Sequence, residues 1–376
     1  MKALQEIHPD IPSKVAKLGC KRLCAVSTKV DEDGNEINTV NESLGKDDMA
    51  KYGAHRVGIT WHNMQQILAS LLPPDTVETG RALSSFVEDD EDENGSVLLQ
   101  FESGEVVKCQ AALMCDGVFS IARRQMFPND RAIYFGQLNW GSVVKTNTLP
   151  PFMHPPNAVR YCVYSGDPKW MAMINDGGGG YTFFQLRITD TEKALSLSGS
   201  KGRGGLGLPG ALERLLPLVQ PCKDVTSVLS SIPEGQIFER CIVGRRPATT
   251  WLSNGKRIAL AGDSAHGMHP NIGQGANTGF EGASILTKTL KECKGNWKEG
   301  LEAYEKAHKP RADLIQSFAN LTGCCQSQQK DILPKEVVTQ MLEWINTADE
   351  SNLPPDHELN TIRSFDPLSE DGVSLI

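Results

Sequence analysis

One stretch constrains this chain more than any other: Arg257-Ile258-Ala259-Leu260-Ala261-Gly262-Asp263-Ser264-Ala265-His266-Gly267-Met268-His269-Pro270-Asn271-Ile272-Gly273-Gln274-Gly275-Ala276-Asn277. An apolar run that reads as a buried strand ends on a glycine and an aspartate. The loop that follows leads into a helix expected over 277–291, with Phe280, Ala283, Ile285, Leu286 and Leu290 as its apolar residues. Glycines at such a junction let a planar ligand approach the backbone without side-chain obstruction. The helix start offers unpaired N–H groups and the positive end of a dipole, suited to negative charge on a ligand. A carboxylate at the strand end accepts hydrogen bonds from sugar-like hydroxyls. A ligand-free turn would not need the whole string.

A second string, Leu113-Met114-Cys115-Asp116-Gly117-Val118-Phe119-Ser120-Ile121-Ala122-Arg123-Arg124, places an Asp-Gly turn after a short strand. Short strands precede it over 83–87, 97–101 and 106–109, and the acidic run from Asp89 to Glu93 reads as a solvated hairpin tip. Further upstream, a short helix broken by Pro9 and Pro12 leads to a hairpin. Its arms are 22–30 and 36–40, turning on Asp31-Glu32-Asp33-Gly34-Asn35. Residues 61–72 have helical spacing and stop at Pro73-Pro74. The segment 134–188 is strand-rich, with Gly177 to Gly180 joining two strands. Residues 211–219 read as a helix, and 301–321 as a helix interrupted near Pro310.

Together the two strings resemble the second FAD fingerprint and the Asp-Gly motif of the FAD-dependent aromatic-ring monooxygenases, the p-hydroxybenzoate hydroxylase-like flavoproteins. Arg246-Pro247, Trp251, Tyr304 and Pro310-Arg311 are weaker matches, and the resemblance runs from about Lys2 to Asn320. It implies an α/β fold: a Rossmann-like FAD-binding domain with an inserted β-sheet substrate domain. The expected boundaries are 1–129 and 246–330 for the discontinuous FAD-binding domain and 130–245 for the substrate domain. A hairpin within 19–52 is assigned to the substrate domain, and 331–376 to a polar tail.

The resemblance further implies FAD as cofactor and NADH or NADPH as co-substrate. Gly262 and Asp263 would serve the ribitol chain, Asp263 bonding its hydroxyls. Pro270 would lie beside the isoalloxazine ring, and the backbone of Gly273, Gln274, Gly275, Ala276 and Asn277 would face the flavin N1–C2 carbonyl edge. Asp116, Gly117 and Arg123 would help to bind FAD and NAD(P)H. The implied reaction forms a flavin C4a-hydroperoxide that hydroxylates or epoxidises a small organic substrate, aromatic or unsaturated. No side-chain base is nominated: His266 reads as a packing residue and His269 as a candidate only. Tyr134, Trp140, Tyr161, Trp170 and Phe183 are candidates for lining the substrate pocket. The rival readings are a non-catalytic or cofactor-deficient family member, and a flavin reductase or halogenase on the same scaffold.

Some features depart from the family pattern. The family opens on a strand, a Gly-x-Gly-x-x-Gly turn and a helix that hold the pyrophosphate. None precedes the motifs here, so the expectation is an N-terminally incomplete sequence of a longer enzyme. Gly202-Arg203-Gly204-Gly205-Leu206-Gly207 spells that pattern but follows a polar stretch, and reads as a flexible loop. Trp61 stands where the family often has an arginine, and Gly282 where it usually has an acidic residue.

Composition narrows the partners. A net charge of −8 argues against a general nucleic-acid binder, which needs a basic surface to displace counterions. The longest apolar runs fall far short of the ~20 residues a membrane-spanning helix requires. Cys20 and Cys24, and the adjacent Cys324 and Cys325, lack a second ligand pair, so no metal site is expected and the cysteines read as free thiols. A soluble protein is expected, cytoplasmic by default, any targeting peptide belonging to the missing front.

Overall fold

Alternation of buried and half-buried residues marks the strands over Trp170–Gly178 and Tyr181–Ile188. The structure, a computed structural model, describes residues 2–44, 49–50, 54–89, 95–150, 157–201 and 204–327, with single positions between 336 and 347. In chain order come α1 (Lys2–Ile7), α2 (Ile11–Leu18), β1 (Cys20–Arg22), β2 (Cys24–Val30), β3 (Glu36–Ser43), β4 (Arg56–Gly58) and α3 (Trp61–Ala69). Next are β5 (Leu83–Asp89), β6 (Ser96–Phe101), β7 (Val106–Cys109), β8 (Ala112–Met114), α4 (Ile121–Met126) and β9 (Ile133–Lys145). Then follow β10 (Ala158–Tyr164), β11 (Trp170–Gly178), β12 (Tyr181–Ile188), α5 (Thr191–Leu197), β13 (Gly205–Leu206), α6 (Ala211–Val219) and α7 (Lys223–Ser231). The last are β14 (Phe238–Gly244), β15 (Ile258–Leu260), α8 (Asp263–His266), α9 (Gly275–Glu292) and α10 (Trp297–Ser327).

The chain forms two compact units. One comprises Pro9–Pro74 and Gly136–Ile242; the other comprises Lys2–His8, Asp75–Phe135 and the described residues from Val243 onward. The whole segment from Pro9 to Pro74, beyond the hairpin assigned from sequence, therefore groups with the sheet. The pairing explains this: β2 runs parallel to β10, from Cys24 opposite Ala158 to Val30 opposite Tyr164, while β1 pairs with β4.

In the first unit an eight-stranded sheet has the order β13-β14-β9-β12-β11-β10-β2-β3. One face buries Leu138, Trp140, Cys162, Trp170, Ile174, Phe184, Leu186 and Ile188 against Leu215, Val219, Val225 and Leu229 of α6 and α7. Trp140 and Trp170, candidates for the pocket in the sequence reading, are thus core residues, as strand aromatics most often are. The hairpin between β2 and β3 turns as its chemistry predicts. The Asp31 carboxylate accepts from the Asp33 and Asn35 N–H groups at 3.0 and 2.8 Å, and Gly34 takes φ 83°.

The second unit centres on two parallel strands, β8 and β15, paired from Ala112 opposite Ile258 to Met114 opposite Leu260. A separate antiparallel sheet holds β5, β6 and β7 in that order. Helices α9 and α10 pack on each other and α1 packs on α9. The core joins Phe86, Val97, Met114, Trp251, Ile258, Leu260 and Tyr304.

Several expectations are corrected. Pro12 occupies the first turn of α2 rather than ending a helix, the one place where a missing N–H costs nothing. Helix α10 runs through Pro310 without interruption for 31 residues. Its buried face, including Leu301, Tyr304, Ala312, Ile315, Phe318 and Ala319, offsets the roughly 3 kcal/mol that an interior proline costs. In the glycine-rich decoy, Gly205 and Leu206 pair with Glu239 and Phe238, so that part is a short strand; Gly202 and Arg203 lie outside the described residues. Most of the expected acidic tip (90–93) and the chain beyond 347 also lie outside them.

Candidate cofactor-binding site

Strands β8 and β15 release the chain at one level, and Ser264 ties them there. Its buried Oγ donates to the Met114 carbonyl at 2.5 Å and accepts from the Ala261 N–H at 3.1 Å. Gly262 then turns the chain at φ 61° and ψ −142°, a region essentially restricted to glycine. Gly117 and Gly273 also have positive φ, 80° and 64°. At all three, a Cβ built on the backbone would meet nothing within 4 Å. These glycines therefore border open space rather than packed neighbours.

Asp263 follows at the start of α8. A Cβ added at Gly275 would lie 3.9 Å from its Oδ1, so the carboxylate faces the beginning of α9. The residue is exposed to solvent, yet desolvation raises its pKa above the usual carboxylate range. The two observations agree if Asp263 lines a concavity: solvent reaches the carboxylate, but protein atoms surround it. Helix α9 starts at Gly275 with Gln274 at its N-cap and no capping side chain. The N–H groups of Gly275, Ala276 and Asn277 therefore have no partner within the helix. Asn277 Nδ2 turns back to Gly273 O at 3.4 Å and Gln274 Oε1 at 3.3 Å, bracing the loop. Pro270 is exposed on a single 3-10 turn, and the buried Nδ2 of Asn271 beside it has no partner among the described residues.

Two of the expected contact residues have partners within the protein. Asp116 Oδ2 accepts from the N–H groups of Ile121 and Ala122 at 2.7 and 3.2 Å, capping α4. Arg123 is 1% exposed and its guanidinium is consumed inside the protein. Nε donates to Asp130 at 2.5 Å, Nη1 to the carbonyls of Ser264 and Ala265 at 3.0 and 2.7 Å, and Nη2 to that of Arg246 at 2.6 Å. Arg123 thus pins the far end of α8 and holds Asp263 in place from behind. Gly262, Asp263, Pro270 and Gly273 through Asn277 lie on one continuous segment, from the end of β15 to the first turn of α9, and Gly117 follows the neighbouring strand.

Sequence reasoning missed the scaffold beneath this loop. Gln316 Nε2 donates to Arg245 O at 2.8 Å and Gly267 O at 3.0 Å, while Asn320 accepts from His269 N at 3.0 Å and donates to Arg245 O at 2.9 Å. Buried polar side chains on an otherwise apolar helix face were the available signal. His269 is fully buried, its Nδ1 accepting from Asn271 N at 3.3 Å and its ring set edge-on to Phe135 at 5.0 Å. His266 is also fully buried, against His308 and Trp251 at centroid distances of 5.7 and 5.8 Å. Both histidines are therefore packing elements. Chemically, the loop offers a carboxylate acceptor, a cluster of backbone donors with positive potential, and an unobstructed backbone between them.

In the first unit, the sheet face opposite the helices carries a cluster of polar residues. Arg187 and Asn139 lie opposite each other on β12 and β9, with Arg187 Nε donating to Asn139 Oδ1 at 3.0 Å. Gln185 and Tyr161 share that face by register and are half-buried. Arg187 is 6% exposed, has no carboxylate partner among the described residues, and is pulled down to about 10 by desolvation. Phe183, on this face too, stacks on Phe238 at 6.3 Å.

Residues 225–319 match the family model described as FAD binding domain. The chain is 25% identical over 352 residues to the chloroplastic zeaxanthin epoxidase of Spinacia oleracea, covering 88% of this chain and 47% of that protein. It thus spans about half the length of that relative. It is 29% identical over 290 residues to the 3-amino-4-hydroxybenzoate 2-monooxygenase of Streptomyces cremeus, covering 77% of this chain and 67% of that one. Among solved structures, a single-site variant of HpxO from Klebsiella pneumoniae, complexed with FAD, superposes with a TM-score of 0.71 at 17% identity. The match covers 96% of this chain and 86% of that one. The matched domain and the sequence relatives point the same way as the shared fold: the chain is similar to FAD-dependent monooxygenases over most of its length.

Proposed function

We propose that this protein is an NAD(P)H-dependent flavoprotein monooxygenase that hydroxylates or epoxidises a small organic substrate. The observation that carries the reading is the loop from Gly262 to Asn277. Gly262 and Gly273 leave the backbone bare, the Asp263 carboxylate has no partner among the described residues and is raised by desolvation, and the helix start has no capping side chain. These features fit FAD. Asp263 would accept from the ribitol hydroxyls, the N–H groups at 275–277 would face the N1–C2 carbonyl edge, and Pro270 would flank the ring. Gly117 would admit the cofactor close to the backbone after β8. Asp116 and Arg123 would act indirectly, by fixing α4 and α8.

FAD, once bound, supplies the redox chemistry, taking a hydride from NAD(P)H and using dioxygen to oxygenate the substrate. The protein's own contribution is electrostatic and positional. The start of α9 would favour negative charge at the N1–C2 edge without reorganising, because its dipole is fixed by an 18-residue helix. On the sheet unit, a buried Arg187 without a carboxylate partner among the described residues favours a substrate bearing an anionic or strongly electron-rich oxygen. The relatives' printed names include an aminohydroxybenzoate, and HpxO has been crystallised with FAD and uric acid, both of that chemistry.

The test is product analysis with labelled dioxygen across phenolic, heteroaromatic and polyene substrates. The reading expects NAD(P)H consumption that depends on substrate and one labelled oxygen in the product. Reduction of substrate without labelled oxygen would establish the reductase alternative and overturn it.

A further inference from the structure

Two thiols in the first unit meet where nothing in flavin chemistry requires them. Cys162 lies on β10 and Cys222 at the N-cap of α7, 60 positions apart, and their sulfurs are 3.0 Å from each other. Both are reduced and nearly buried, at 9% and 7% exposure. A disulfide needs about 2.05 Å between sulfurs, so an approach of roughly 1 Å would close the bond. The surroundings hold this juxtaposition. Arg160, two residues before Cys162, pairs with Asp224, two residues after Cys222, at 3.4 Å. Pro221 is pressed from the other side by the β2–β3 turn, where a Cβ on Gly34 would fall 1.9 Å from its carbonyl oxygen.

We propose that Cys162 and Cys222 form a redox-active pair, which a peroxide such as hydrogen peroxide converts into an intrachain disulfide joining β10 to the α6–α7 corner. Cys222 is the attacking group. The hydrogen bond it shares with Cys162 and the Val225 N–H in the first turn of α7 favour its thiolate, both holding it below the ordinary thiol range despite burial. Its thiolate takes one peroxide oxygen as the O–O bond breaks, giving a sulfenic acid and, after protonation, water. The Cys162 sulfur then displaces the hydroxyl as S–S forms, its proton leaving with the second water. Two thiols lose two electrons and one peroxide becomes two waters.

The consequence is a covalent staple on the apolar side of the sheet whose other face carries Arg187, Asn139 and Tyr161. Oxidation would stiffen that unit without touching either the polar face or the loop around Asp263.

Non-reducing tryptic mapping tests the pair. Cleavage after Arg160, Lys169, Arg214 and Lys223 isolates Cys162 in residues 161–169 and Cys222 in 215–223, each as the single cysteine of its peptide. After stoichiometric hydrogen peroxide and alkylation of remaining thiols, the two peptides should appear joined, two hydrogens lighter than their sum. Dithiothreitol should separate them, and the oxidised protein's thermal midpoint should rise by several degrees. Cys162→Ser and Cys222→Ser should each abolish the linked species and the shift. If both cysteines in the oxidised, folded wild type remain open to alkylation after unfolding, or if either is found as sulfinic acid or joined elsewhere, the proposal is wrong; this readout does not depend on the variants folding.

Discussion

At Arg123 the sequence pattern and the structure attach different roles to one residue. The Asp-Gly motif marks it as a cofactor contact, yet its guanidinium meets Asp130 and three backbone carbonyls in a site that is 1% exposed. Spacing identifies which residue recurs, but not which way a long side chain points. Arg123→Ala should therefore act on stability first, costing about 3–5 kcal/mol in a urea titration, because it strands three backbone acceptors and leaves the half-buried Asp130 with only the longer contact to Arg245. Arg123→Lys should recover only part of this, since an ammonium cannot fork among them. His266 carries a prediction about pH. Burial, followed by the neighbouring His308, pulls its pKa down to about 3 from an ordinary 6.5. His308 is shifted the same way by burial. Below pH 6.5 the unfolded chain binds protons that the folded imidazoles refuse, so stability falls as pH drops from about 6.5 toward 3. By pH 5, His266 alone should cost roughly 2 kcal/mol. His266→Leu should flatten that slope in chemical denaturation followed across pH.

At the scale of elements, legibility followed periodicity. The helix over Ala211–Val219, the strands β5 to β8 and the hairpin turn at Asp31 were all readable, because each is set by local patterning or turn chemistry. Helices α5 and α7 and strand β14 were not, since they are short and their burial comes from the sheet they cover or extend. Pro310 misled for the complementary reason: its helix is held by packing with α9. That packing also explains Gly282. A Cβ there would lie 2.8 Å from Nε2 of the fully buried His308 and 3.4 Å from the Tyr304 hydroxyl. His308 cannot yield easily, being wedged among Trp251, His266 and Tyr304 at centroid distances of 5.5 to 5.7 Å. Gly282→Ala should destabilise the protein by about 1–3 kcal/mol despite the higher helix propensity of alanine, and His308→Ala should relieve most of that penalty in a double-mutant cycle.

For the whole molecule, the sequence identified the loop that most resembles a flavin site, and the structure supplies what spacing alone could not. Among the described residues the Asp263 carboxylate has no partner, α9 has no capping side chain, and Ser264, Arg123, Gln316 and Asn320 brace the turn from beneath. The polar sheet face was invisible in the same reading, since Arg187 looks like any charged residue on a strand until its burial is known. Titration of the purified protein with FAD, followed by quenching of flavin fluorescence, tests the loop's fit to FAD most directly. Saturable one-to-one binding is expected, weakened by Asp263→Ala by about 10- to 150-fold, the value of one hydrogen bond to a charged acceptor at about 1.5–3 kcal/mol. Absence of saturable binding, or an affinity that Asp263→Ala leaves unchanged in a folded protein, would contradict it.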